Sequence, residues 1–253
     1  VAPLHIRGIG QRRPGGHAPG KRNLCRTRRL GLEQAPQRLG LVRTEGFQTS
    51  HHTRFRVFGA SSISCDPMRL VLASASARRR ELLTAAGLSF VVDPADIDER
   101  RRPSDRPEDS ARRVAAEKAA IGRQRHPADI VVAADTIVLV EGQLLGKPET
   151  PDEAARMLAQ LSGRAHDVLT GVAVVWPDGA RSHVERTRVW FAPLTAAQID
   201  WYVASGEPMD KAGAYAIQGL ASRFVSRIEG SYSNVVGLPV AVIVQFLAEA
   251  GLG

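Results

Sequence analysis

The chain has 253 residues, with 34 Lys/Arg against 26 Asp/Glu and a formal net charge of +8. The excess sits at the start: residues 1–67 hold 12 Lys/Arg and 3 Asp/Glu, a net of +9, which leaves 22 basic and 23 acidic residues, a net of −1, for 68–253. The usual link between a basic chain and nucleic acid therefore applies only to the leader. Cys25 and Cys65 lie there too, so the remainder has neither a disulfide framework nor a Cys-based zinc site, a usage that fits a reducing, cytoplasmic setting.

In chain order, residues 1–67 carry the Arg pairs Arg12-Arg13 and Arg28-Arg29, scattered Gly and Pro, and no sustained periodicity, so they read as unstructured. No apolar segment of secretory-signal length follows the early charges. The composition also resembles an organellar transit peptide. Met68 stands directly before the first strand, and the stronger reading is upstream sequence taken from too early a start. The domain is then 68–253, and the leader is expected to be dispensable for catalysis.

Arg69 to Ala73 reads as a short buried strand, followed by Ser74-Ala75-Ser76 and a helix from Ala77 to Ala86 with Leu82, Leu83 and Ala86 on one face. Phe90 to Val92 is the next strand and leads into an acidic loop, Asp93 to Glu99. Ser104 and Pro107 mark a second helix to about Arg123, on which Val114, Lys118 and Ile121 share a face. A lysine in that stripe either snorkels outward or points into a site.

Ile130 to Val140 is an apolar run rich in β-branched residues, which reads as a buried strand with one carboxylate, Asp135, in its middle. An unpartnered buried carboxylate is very costly, so Asp135 is paired, bound to a metal, or placed where the strand opens into a cleft. The blander alternative is a turn residue between two shorter strands. Glu141-Gly142 reads as a hairpin turn, and Thr150 to Glu153 as a capping box opening a helix to Leu161. Val168 to Trp176 and His183 to Phe191 read as strands joined by the turn Pro177-Asp178-Gly179. Thr195 to Gln198 is a second capping box. A Gly-rich irregular stretch from Gly206 to Gly219, a strand from Phe224 to Ile228, a loop from Gly230 to Asn234 and a last helix from about Pro239 to Gly251 complete the chain. Val240 to Val244 is too short to span a bilayer. Interspersed strands and helices argue an α/β class, and the 168–191 hairpin makes the sheet mixed.

Chemistry concentrates at a few points. Ser74 to Arg79 joins a strand to a helix, where unsatisfied N–H groups, two hydroxyls and two guanidiniums suit a phosphate; a plain Ser N-cap with solvated arginines is the alternative. No Walker loop is present. Lys147 follows Gly146 in a tight turn and otherwise reads as a surface lysine. Glu99 with Asp135 makes a hard-oxygen pair suited to Mg²⁺ or Mn²⁺; otherwise Glu99 belongs to a solvated acidic loop. His126, His166 and His183 show no ligand spacing and read as structural or surface residues. Together these features describe a triphosphate site with a divalent metal.

The set of stretches resembles the Maf nucleoside triphosphate pyrophosphatases. It comprises Leu72 to Arg79, Asp98-Glu99, Ala115 to Ala119, Ala134 to Val138, Gly146 to Pro148, Lys211 to Gly219 and Asn234 to Pro239, in the family's order over 69–250. Ala77 departs from the family's usual Pro, with little effect expected because Pro there only presets the first helical dihedral.

The resemblance implies an elongated, mixed-sheet Maf/ITPase-like α/β fold with a central cleft, usually dimeric. It also implies hydrolysis of a non-adenine nucleoside triphosphate to monophosphate and pyrophosphate. The proton acceptor falls on Asp135, and the substrate-contacting positions on Ser76, Arg79, Glu99, Lys118, Thr136, Lys147 and Gln218. The Asp-Thr pair and the Ile-Gln-Gly stretch look like the dTTP/UTP branch. The expectation is thus a cytoplasmic homodimer with a nucleoside triphosphate substrate, a divalent cation, and neither membrane nor nucleic acid as partner. The competing expectations are a non-catalytic nucleotide- or nucleic-acid-binding regulator of cell division and a 7-methyl-GTP pyrophosphatase.

Overall fold

A computed structural model describes residues 68–100, 102 and 105–252. The readings made for 1–67, and for Ser104 as the start of a helix, lie outside the described residues. The order of elements is β1 (Leu70–Leu72), α1 (Ala77–Ala85), β2 (Val91–Val92), α2 (Pro107–Arg125), β3 (Ile130–Val140), β4 (Gln143–Leu145), α3 (Pro151–Leu161), β5 (Ala165–Trp176), β6 (Gly179–Phe191), α4 (Ala196–Ala204), β7 (Val225–Glu229), α5 (Tyr232–Val236) and α6 (Val240–Glu249). The strands form one mixed sheet in the order β2-β1-β3-β5-β6-β7, with β4 paired to β3. β1 runs parallel to β2 and β3, and the other pairings are antiparallel. This is the mixed α/β class expected from the sequence.

The apolar run of β3 is explained by cover on both faces. Ile130, Val132 and Ala134 join a core with Leu83 of α1 and with Ile243 and Leu247 of α6. Val131 and Ala133 point the other way, against Ala115 and Ala119 of α2. Farther along, Val138 and Val140 enter a second core with Leu158, Tyr202 and Phe224. Between the two cores, Asp135, Thr136 and Ile137 are only partly buried.

Helix α2 starts at Pro107, whose preset φ suits a first helical position, and carries Glu108 and Asp109 in its first turn and Arg123 and Arg125 in its last, charges suited to the helix dipole. It lies unusually close to the sheet. A Cβ on Gly171 of β5 would sit 2.2 Å from the Ala111 carbonyl oxygen, and one on Gly122 would sit 2.6 Å from Val131. Gly171 is the direct cross-strand partner of Asp135.

Several local readings change. In α1, Leu83 is fully buried but Ala86 is the exposed C-cap residue, so the helix buries a narrower face than its spacing suggests. Thr150 caps Glu153 N, whereas Glu153 Oε2 accepts from Glu149 N at 2.8 Å, so that box does not close on its own cap residue. The box at Thr195 and Gln198 does close. The hairpin of β5 and β6 is longer than expected, with Trp176 paired to Gly179 around a Pro177-Asp178 turn. The stretch 206–224 holds three 3-10 turns, Glu207–Asp210, Ala212–Ala214 and Leu220–Phe224. The loop expected at 230–234 instead opens the short helix α5, capped by Ser231.

Candidate active site

The partly buried segment of β3 forms the floor of a cleft of about 860 Å³. Strand alternation sends Asp135 to the face covered by α2 and Thr136 to the face covered by α1. One residue of the strand therefore serves each wall.

On the α2 wall, Lys118 Nζ lies 2.7 Å from Glu99 Oε1 and 3.3 Å from Asp135 Oδ1. The Lys118 side chain is 7% exposed and that of Asp135 13%, against 49% for Glu99. Lys118 thus points inward from the apolar stripe rather than snorkelling to solvent. Its ammonium offsets the burial cost of the Asp135 carboxylate. Partial burial disfavours the charged form of Glu99, but the hydrogen bond and charge of Lys118, with the charges of Lys147 and Arg79, outweigh it and hold the Glu99 pKa below its ordinary value.

On the α1 wall, Arg79 turns inward. Its Nε donates to Gly237 O at 2.9 Å, and its two terminal nitrogens donate to Ser74 Oγ at 3.0 Å and Thr136 Oγ1 at 3.2 Å. Burial lowers the Arg79 pKa, and the charges of Asp135 and Glu99 act in the opposite sense. Ser76 is the N-cap of α1 and accepts from Arg79 N at 3.4 Å, so the plain capping reading applies to it even as it lines the cleft. Arg78 pairs with Asp210 at 3.5 Å.

Lys147 is exposed on the cleft rim. Its loop is tied to the facing one by the Gly213 N–H, which donates to Gly146 O at 2.9 Å. Gln218 is exposed, lines the cleft, and donates to Glu81 Oε2 at 3.4 Å. All eight residues singled out from the sequence therefore line one cavity. Lys211, which also lines it and pairs with Asp210, was quoted within a family stretch but given no role. Its place in that stretch was the available signal.

Among the described residues no group of three His, Cys, Asp or Glu side chains is arranged to hold a metal ion. Glu99 and Asp135 converge on a single cation position, now filled by the Lys118 ammonium. Two hard carboxylates facing a cleft also lined by Arg79, Lys118, Lys147 and Lys211 form a donor set suited to Mg²⁺ or Mn²⁺ sharing substrate oxygens.

The Maf-like protein family model matches residues 69–250, from β1 to the end of α6. The chain belongs to that family. Relatives of the Maf-like chain include the dTTP/UTP pyrophosphatases of Symbiobacterium thermophilum (51% identical over 183 residues, 72% of this chain and 94% of that protein), Anaeromyxobacter dehalogenans (52% over 187 residues, 72% and 94%) and Myxococcus xanthus (50% over 190 residues, 75% and 96%). Among solved structures it is similar to the Staphylococcus aureus Ham1 protein at 13% identity, with a TM-score of 0.43 over 72% of this chain and 99% of that one, an overlap too loose to bear on mechanism.

Proposed function

We propose that this cleft hydrolyses dTTP and UTP to the monophosphate and pyrophosphate. The observation that carries the reading is the meeting of two opposed walls. Lys118 sits between Glu99 and Asp135 on one, and Arg79 projects from a helix N-terminus on the other. Phosphoryl chemistry needs positioning and charge neutralisation above all, and this arrangement supplies both. The relatives' names support the same activity.

In this reading the triphosphate lies along the N-terminus of α1, with Ser76 and the free donors of Arg79 on its oxygens and Lys147 at the rim. As phosphate enters, Lys118 turns from Asp135 to the substrate. Asp135 then orients a water molecule and accepts its proton as the water oxygen bonds the α-phosphorus. The bond to the bridging oxygen breaks and pyrophosphate leaves. Glu99 and Asp135 would hold a divalent cation, which when bound offsets charge on the phosphate oxygens. Gln218 reads the pyrimidine, since its amide can donate to a ring carbonyl and accept from the ring N–H. Thr136 shapes the same pocket.

No helix among the described residues is long and apolar enough to cross a membrane. Residence in the cytoplasm rests on the absence of cysteine from residues 68–253, and assembly as a homodimer on the family resemblance. Light scattering on the purified protein checks the second.

The deciding assay follows pyrophosphate released from dTTP in the presence of Mg²⁺ or Mn²⁺. Release at a useful turnover is expected. Tight nucleotide binding without release would make the protein a non-catalytic regulator, and a preference for 7-methyl-GTP would place it in the other branch.

A further inference from the structure

Behind Arg79 a file of hydroxyls runs from the cleft-lining Thr136 to the fully buried Thr170, which none of the proposed steps uses. Thr136 Oγ1, which accepts from Arg79, lies 3.0 Å from Thr170 Oγ1 across the β3–β5 pairing, where the two residues stand directly opposite each other. Thr170 is fully buried and donates in turn to Asn234 O at 3.2 Å. Asn234 is itself pinned, its amide donating to Val168 O at 3.1 Å and Thr187 Oγ1 at 3.0 Å.

The two ends of this file fix its direction. A guanidinium can only donate, and a main-chain carbonyl can only accept. Each threonine has one hydrogen. Thr170 spends its hydrogen on Asn234 O and therefore accepts from Thr136. Thr136 spends its hydrogen on Thr170 and therefore turns a lone pair to Arg79. Gly237 O and Asn234 O each already accept one N–H, from Arg79 and from Gly237, so distance decides between them: Thr136 is 3.4 Å from Gly237 O but 3.0 Å from Thr170, and Thr170 is 3.2 Å from Asn234 O.

We infer that Thr170 is a positioning residue for the phosphate-binding guanidinium: it polarises Thr136 so that Arg79 is held by an acceptor and never faces a competing donor. The inference rests on the reading of the cleft as a phosphate site, through Arg79 alone. It also explains why a β-branched residue with a hydroxyl occupies a fully buried strand position where valine would pack equally well.

The test compares Thr170→Val, which keeps the shape and removes the hydroxyl, with Thr170→Ser, which keeps the hydroxyl. Affinity for inorganic pyrophosphate is measured by calorimetry, kcat and KM with dTTP, and the unfolding midpoint in urea. Thr170→Val is expected to lose about tenfold in pyrophosphate affinity and in kcat/KM, the scale of one neutral hydrogen bond, and Thr170→Ser to retain both within twofold. Thr170→Ala carries the same expectation if the valine variant does not fold. A Thr170→Val protein with wild-type pyrophosphate affinity and only a lowered unfolding midpoint would make Thr170 structural and overturn the inference, as would a folded Thr170→Ser that fails to retain affinity. If wild-type protein turned over no dTTP, the pyrimidine reading would fail while the pyrophosphate titration still decided the role of Thr170.

Discussion

Tyr202 donates its phenolic hydrogen to Glu207 Oε1 across 2.8 Å, and the pair holds both ends of the loop that carries Gln218. The Ala216 N–H donates to the Tyr202 oxygen at 3.2 Å, and those of Leu220 and Ala221 donate to Glu207 at 3.0 and 3.4 Å. Burial, helped by Glu207, pushes the Tyr202 pKa up, so the phenol stays a donor. Tyr202→Phe strips a partner from a carboxylate and from a buried N–H. A stability loss of about 1–3 kcal/mol is expected, with a smaller dTTP-to-purine ratio of kcat/KM as the loop loosens. Urea unfolding and a nucleotide panel measure the two. A lowered midpoint with an unchanged ratio would separate the clamp from base choice.

Asp135→Asn retains shape and removes the proposed proton acceptor. General-base contributions are roughly 10²–10⁴-fold, so turnover should fall at least that far while nucleotide still binds. Single-turnover pyrophosphate release and a binding titration give the two numbers. Near-normal turnover would move the base elsewhere in the cleft.

Gln218→Ala tests the reading of the base. A site that hydrogen-bonds a group discriminates against ligands lacking it, because its own polar atoms are left unpaired. The variant is expected to lose more kcat/KM for dTTP and UTP than for purine triphosphates. An equal loss across the panel would assign Gln218 to the phosphates or to the scaffold, where its contact with Glu81 already places it at 3.4 Å.

His166 gives a pH dependence unrelated to catalysis. It is buried between Phe191 and Tyr215, with Nε2 2.8 Å from the Tyr215 hydroxyl and Nδ1 without a hydrogen-bond partner. Burial lowers its pKa to about 4, against the opposing charge of Asp167. The folded protein therefore binds fewer protons here than the unfolded chain. Its contribution is full above about pH 6.5 and is lost as pH falls toward 4, up to roughly 3 kcal/mol. Urea midpoints at pH 7, 5.5 and 4.5 should show the decline, and His166→Gln should flatten it. Carboxylates with lowered pKa, such as Glu99 and Asp167, lose their share at lower pH, which separates the two effects.

What the sequence disclosed depended on conflict between a residue and its surroundings. Asp135 was legible because a carboxylate contradicts a β-branched run, and Lys118 because a cation contradicts an apolar stripe; both conflicts resolve in one ion cluster. Arg79 was not separable from Arg78 and Arg80 by propensity. Its direction is set by the Gly237 carbonyl, which is distant in sequence. Thr170 was silent, since threonine in a strand contradicts nothing. Helix α5 was missed because its few residues carry no periodicity and depend on the Ser231 cap and on Asn234 held beneath them.

The near contact of Gly171 with the Ala111 carbonyl sets how the two sides of the cleft divide their labour. With no side chain between helix and sheet there, α2 has little room to shift against β5, and Lys118 is carried on that close packing. Glu99 and Lys147 ride on exposed loops. Adjustment to an incoming nucleotide thus falls to the loops, while the helix acts as a fixed gauge. On the proposed reading a nucleotide is measured from Lys118 outward, and the breadth of bases is decided by Gln218 and Thr136 rather than at the charges.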